Sequence, residues 1–425
     1  MPVKRNSPAA PVVAGIVMLI CSWSCLADRV SVRPGTLKAE LAAASDGDIL
    51  LLGKGVHAGP LVISSSVTLR GENGAIIDGG GKGTVVTVAA PAVRLENLHI
   101  RSSGQRLSTE DSGVFVTKEG AGAEIIGNTL TQNLIGIYLK GPEAAIVREN
   151  VIRGLSDLRV NERGNGVQLW NTPGSVVEGN TISQGRDGIF VTTSRDNRFH
   201  NNNFSDLRFA VHYMYTNDSS VTDNVSTGNK VGYALMYSKN LVVTGNQSLG
   251  DSQRGIFFNF TNDSSISGNT VAPLATRDSA EKCVFVYNSN FNDIHRNHFE
   301  ACQIGIHFTA GSEQNFLWEN NFIANRNQVK YVGTRELEWS REQRGNYWSD
   351  HLAFDLDGNG TASQPYRPNS ITDQILWRYP IAKLLMNIPI LQILQWAQSE
   401  FPALHPGGVT DSHPLMRPLP RGNAG

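Results

Sequence analysis

An asparagine recurs along this chain at a spacing that few folds can use. It stands at Asn128, Asn150, Asn180, Asn202, Asn224, Asn246, Asn269, Asn297, Asn320 and Asn346, so most copies lie one near-constant period apart, with a few longer gaps. A second mark follows most of these after a short, similar stretch: Gly136, Gly166, Gly188, Ala210, Gly232, Gly255, Cys283 and Gly305, each opening an apolar run. Asn97 and Gly113 form an earlier, looser copy. A period of about 22 is too short for a pair of helices and suits one coil of two or three short strands. Strand-rich leucine repeats share the length but need a regular Leu ladder, which is absent. The expected fold is all-β: a right-handed parallel β-helix, the hand following from the crossover rule. Asn and Gly tolerate the left-handed backbone of a sharp corner. An Asn at one corner of every coil can also hydrogen-bond its stacked neighbours.

The irregular intervals carry information. Extra residues always enter between the Asn and the second mark, from Asn97 to Gly113, Asn150 to Gly166 and Asn269 to Cys283. They are expected to leave the solenoid at one corner.

Strand alternation sorts the faces. Counting from each second mark, the first position reads Val114, Ile137, Val167, Ile189, Val211, Tyr233, Ile256, Val284, Ile306. The third reads Val116, Leu139, Leu169, Val191, Tyr213, Leu235, Phe258, Val286, Phe308. Both are apolar or aromatic and should line the interior. The column from Ile125 through Val221 to Leu317, just before each Asn, makes a second wall. The second and fourth positions then face outward, and they are unusually aromatic. They place Tyr138, Trp170, Phe190, Phe257, Phe285 and Tyr287 on one stripe, which suggests a surface for a partner. Within it His212 and Met214 share one strand face, and Met236 follows Met214 by one repeat period, in the adjacent coil. Imidazole with thioether suits Cu(I); the same Met pair also suits gap-filling in a partner interface.

Segment 1–27 reads as an export signal: Lys4 and Arg5, an apolar stretch over 12–26, and Cys25-Leu26-Ala27 ahead of Asp28. Cleavage there leaves Cys283 and Cys302. Two cysteines in an oxidising compartment suggest a disulfide. Their three-residue offset in adjacent coils opposes it unless the turn folds back, so free thiols stay open. A formal net charge of −1 argues against nucleic-acid binding. Many parallel β-helices cut acidic polysaccharides, which needs clustered carboxylates or a base with a metal. Asp187 has no aligned carboxylate in neighbouring coils, where Ile135, Asn165, Phe209 and Val231 stand. A site built from the charged loops 101–112, 154–165 and 272–282 is the remaining enzymatic route, with a polysaccharide lyase or hydrolase as the rival class.

The expected organisation is a signal over 1–27, a β-helix with an N-terminal cap over 28–345, and an extension over 346–425. A short helix over 37–44 and strands at 48–52 and 61–63 build the cap. In the extension, Asp355, Asp357 and Asn359 match the first half of a calcium loop, but Tyr366 stands where a bidentate Glu is needed. The alternative is a tight Asx-rich turn. The apolar segment over 381–401 includes Leu384, Leu385, Ile388, Leu391, Leu394 and Trp396 and is broken by Pro389. It reads as a helix docking on another apolar surface, protein or membrane, or on its own β-helix.

Several tail motifs resemble one family. Gly345-Asn346-Tyr347-Trp348-Ser349-Asp350 precedes Asp355-x-Asp357-Gly358-Asn359-Gly360 and Pro365-Tyr366. Arg378-Tyr379-Pro380, Phe401-Pro402 and Asp411-x-x-Pro414-Leu415 follow. With the export signal and the Asn-Gly coils, nearly the whole chain is similar to the NosD family. The resemblance implies a periplasmic protein that works with an ABC ATPase and permease to mature the copper centres of nitrous oxide reductase. The aromatic and Met surface of the shaft is then expected to receive copper, a copper chaperone or the client enzyme. No motif carries copper ligands over.

Overall fold

The computed structural model describes residues 28–421, without 276, 278, 279, 332 and 334; within 371–407 it describes only 373, 375, 377, 379, 381 and 393. The signal segment and Leu384, Leu385, Ile388, Leu391, Leu394 and Trp396 lie outside the described residues. The chain winds into a right-handed parallel solenoid. Each coil gives one strand to each of three sheets, of 13, 13 and 12 strands. A typical coil runs Arg198–His200 in the first sheet, Asn203–Ser205 in the second, then Phe209–Asn217 in the third, where the strands are longest. The cap helix spans Leu37–Ala43, with Leu37 buried against the first coils.

The recurring Asn residues form one continuous ladder between the first and second sheets, each at most 1% exposed. Asn224 is typical. Its backbone N–H donates to Asn246 Oδ1 at 3.1 Å, and its Nδ2 donates to the same oxygen and to the Phe199 and Thr222 carbonyls, all at 2.9 Å. The left-handed residue is not the Asn, as expected, but the one before it: Glu149, Asn201, Asp223, Arg296 and Glu319 have φ of 54–56°. The preceding residue makes the bend, which leaves the Asn side chain free to turn inward and reach the next coil. The second-mark glycines serve closeness rather than conformation. A Cβ on Gly188 would lie 2.5 Å from both the Ala210 carbonyl oxygen and the Phe204 ring.

The interior columns fall where alternation puts them. Val114, Ile137, Val167, Ile189, Val211, Tyr233, Ile256, Val284 and Ile306 stack in register and are all buried. Burying a side chain of this kind is worth about 1.5–3 kcal/mol, and the repetition makes one core running the length of the shaft. Cys283 and Cys302 are joined by a disulfide, with Cα atoms 5.7 Å apart. Ala301, at φ 57°, folds the chain back just before Cys302. That corner cancels the three-residue offset between the two cysteines in adjacent coils.

The C-terminal end of the shaft is covered by its own tail. Trp348 stacks on Phe322 at 4.4 Å and on Tyr366 at 4.6 Å, with Trp339 alongside at 6.4 Å. The Asp355 to Asn359 stretch is an exposed Asx turn, not a cation cage. The Asp355 carboxylate accepts the backbone N–H groups of Asn359 and Gly360, and Asn359 Oδ1 accepts from Thr361. Tyr366, at the missing ligand position, is buried in the aromatic stack. The calcium expectation therefore finds no support.

Candidate functional site

The outer face of the third sheet carries the candidate site. One outward column runs Phe190, His212, Ala234, Phe257, Phe285, His307, Lys330 in consecutive coils. On the same face, one alternation further along each strand, a second runs Lys140, Trp170, Thr192, Met214, Met236, Asn259, Tyr287. Met214 and Met236 are direct register partners and both face outward, half-buried.

The stripe is less open than alternation alone suggests. Tyr138 is only 3% exposed, because Leu155 and Leu158 of an inserted loop pack on it with Phe115. Its expected role as an open partner contact is corrected accordingly. The loop carrying Glu110 adds an ion pair to Lys140 at 2.7 Å. Phe190, Phe257 and Phe285 are half-buried, whereas Trp170 and Tyr287 are exposed.

A further column of exposed rings stands immediately beyond the Met column. Tyr215, Tyr237 and Phe260 hold φ of 50°, 49° and 53°, a left-handed backbone that bulky residues rarely adopt. The turn points them outward instead of in. Tyr215 stacks on Tyr237 at 5.0 Å, Tyr237 on Phe260 at 5.2 Å, and Phe260 meets Tyr287 edge-on at 6.0 Å. Counting along strands missed this column, because alternation breaks at the corner. The signal available was an aromatic directly after Met214, Met236 and Asn259, recurring with the coil period.

His212 is held from beneath. Its Nδ1 lies 3.0 Å from Asp187 Oδ2, and Arg208 grips the same carboxylate through Nε at 2.8 Å and Nη2 at 2.6 Å. Asp187 is fully buried. Burial alone would raise its carboxyl, but the hydrogen bonds from His212 and Arg208 outweigh that and hold it below the usual carboxylate range. An ionised carboxylate only accepts, so Nδ1 is the donor and the free lone pair of a neutral ring sits on Nε2. Phe190 and Phe209 flank the imidazole at 5.0 and 4.8 Å. A histidine fixed through one nitrogen by a carboxylate, with the other available, is the usual arrangement at metal sites. The lone carboxylate noted in the sequence thus lies beneath the histidine, not beside a second acid.

A family model described as periplasmic copper-binding protein (NosD) matches residues 148–353. A Pseudomonas aeruginosa protein named probable ABC transporter binding protein NosD is 42% identical over 374 residues, 86% of this chain and 87% of that one. The chain belongs to the NosD family. A Stutzerimonas stutzeri NosD of the same description is 40% identical, over 85% of each chain. Among solved structures, the Yersinia enterocolitica family 28 exopolygalacturonase superposes with a TM-score of 0.55, over 72% of this chain and 77% of that one. At 10% identity that likeness shows the β-helix fold alone. The NosD match spans His212, Met214, Met236 and the whole exposed aromatic column. No group of three or more His, Cys, Asp or Glu side chains that could hold a metal ion converges among the described residues of this NosD chain.

Proposed function

We propose that this chain is a periplasmic accessory protein that receives copper, or docks a copper chaperone or its client nitrous oxide reductase, alongside an ABC ATPase and permease. The observation that carries the copper reading is the juxtaposition of Met214 with Met236 on the strand face that also bears His212. One imidazole and two thioethers form a soft, nearly neutral donor set that prefers Cu(I) to Zn(II) or Ca(II). In this reading the aromatic residues Trp170, Phe190, Phe257, Phe285 and Tyr287 form the contact surface around the metal. The segment with Leu384, Leu385, Ile388, Leu391, Leu394 and Trp396 docks on the permease.

The rival, a carbohydrate-active enzyme, has less to work with. His212 is a usable base, but Asp187 is sealed beneath it by Arg208 and cannot reach a substrate. Cu(I) titration with a competing chromophoric chelator decides the copper site. Wild type should bind tightly, and the Met214→Ala, Met236→Ala double variant should lose at least about tenfold in affinity. Equal binding by both would remove this site. Deleting 380–404 should release the chain from membranes carrying the transporter; unchanged association would remove the docking role of that segment.

A further inference from the structure

Two coils beyond His212 the same outward column changes character. Phe257 and Phe285 stack in parallel, with centroids 5.2 Å apart and planes 4° from parallel, and His307 follows at 4.7 Å. Cations gather around this stack. Arg254 lies 4.6 Å from the Phe257 centroid and 5.2 Å from that of Phe285, and Lys282 lies 5.7 Å from Phe285. Lys330 is the register partner of His307 and ends the column. Glu281 is a carboxylate that acts on His307 and Lys330, and it is paired with Lys282. Two buried nitrogens, Arg254 Nε and His307 Nδ1, have no hydrogen-bond partner among the described residues. Burial, with Lys330 and Lys282 nearby, pushes the His307 imidazole down to about 4, so it remains neutral at physiological pH.

Among the described residues, like charges are crowded here without enough anions to balance them, next to an exposed aromatic column. Such an arrangement is costly alone and favourable once a carboxylate is added. We propose that the Arg254–Lys282–Lys330 cluster around Phe285 is a docking site for an acidic, aromatic-bearing segment of a protein partner. The proposal rests on the partner-docking reading above and deepens it by naming the chemistry of the contact. Arg254 offers a planar guanidinium for a carboxylate, and Tyr287 and Phe260 continue the apolar surface. A sugar chain fits less well, because sugars stack on open ring faces and the parallel Phe257–Phe285 pair hides one face of each ring.

The test is calorimetric titration of the full chain with three probes: the peptide acetyl-Gly-Glu-Phe-Glu-Gly-amide, sodium acetate, and an oligogalacturonate. The peptide should bind wild type, weaken as salt is raised, and weaken at least about tenfold in an Arg254→Gln, Lys330→Gln double variant. A Lys330→Arg variant should retain most of the binding, and matched unfolding midpoints confirm that the fold is intact. Absent peptide binding, or binding indifferent to the Gln pair, overturns the proposal. Acetate binding as tightly as the peptide, or oligogalacturonate binding more tightly, reassigns the cluster to a free anion or a polysaccharide and also overturns it. The Met214→Ala, Met236→Ala variant should keep peptide binding, so failure of the copper site and failure of this one are read separately.

Discussion

The Asp411 carboxylate accepts the backbone N–H of Asn346 at 2.6 Å, so the tail supplies the final acceptor of a ladder that begins at Asn128. Every earlier Asn finds its acceptor in the next coil; Asn346 has no next coil. Asp411 stands in for it, and its Oδ2 also accepts from Trp348 Nε1 at 2.8 Å. The tail motif Asp411-x-x-Pro414-Leu415 thus has a physical task, closing an open solenoid end.

Removing that acceptor should loosen the C-terminal coils first. Asp411→Ala leaves the buried Asn346 N–H and Trp348 Nε1 unpaired, at about 1–3 kcal/mol each. Because coils contact mainly their neighbours, hydrogen exchange should rise around 320–348 and stay unchanged near Asn128. Uniform loss of protection along the shaft would contradict this.

The same carboxyl makes the cap sensitive to pH. Burial pushes Asp411 up to about 6, above the value of about 3.9 in an unfolded chain. Between those values the folded state holds a proton that the unfolded state has released. The contribution is full below about pH 4 and is lost as pH rises through about 6. Exchange in the cap should therefore be faster at about pH 7.5 than at about pH 5 once corrected for intrinsic rates, and Asp411→Asn should flatten the difference.

Asp187→Asn tests the support beneath His212. The variant removes the anion that makes Nδ1 the donor and leaves Arg208 without its carboxylate. Nitrogen chemical shifts should show His212 protonated on Nδ1 in wild type and a mixture in the variant. Copper affinity should fall about 10- to 100-fold, the usual effect of losing such a support. An unchanged tautomer with unchanged affinity would make Asp187 a purely structural residue.

Tyr237→Gly separates stability from binding. Glycine relieves a left-handed backbone that costs about 1–2 kcal/mol, while two ring stacks worth about 0.5–1.5 kcal/mol each are lost. The unfolding midpoint should hardly move, yet binding of the protein partner proposed above should weaken. A large drop in stability would mean the ring column serves the fold alone.

Reducing the Cys283–Cys302 disulfide, or replacing both residues by Ser, should cost about 2–4 kcal/mol by releasing a short closed loop. Thermal unfolding with and without reductant reads this directly, and the double Ser variant should no longer respond to reductant.

Sequence alone determined the coil, its register and the identity of the core. Those follow from the repeat period and from strand alternation, and both are local rules that a side chain obeys whatever surrounds it. Only the tertiary structure decided which outward residues water can reach. Tyr138 is hidden by a loop inserted after its own coil, Tyr215 and Tyr237 are turned out by corners that interrupt alternation, and Asp187 lies beneath a histidine one coil away. The corner at Ala301 brought two cysteines together despite their offset, and Asp411 reached Asn346 from far along the chain. Each of these depends on where separate segments meet in space, which a repeat period does not encode.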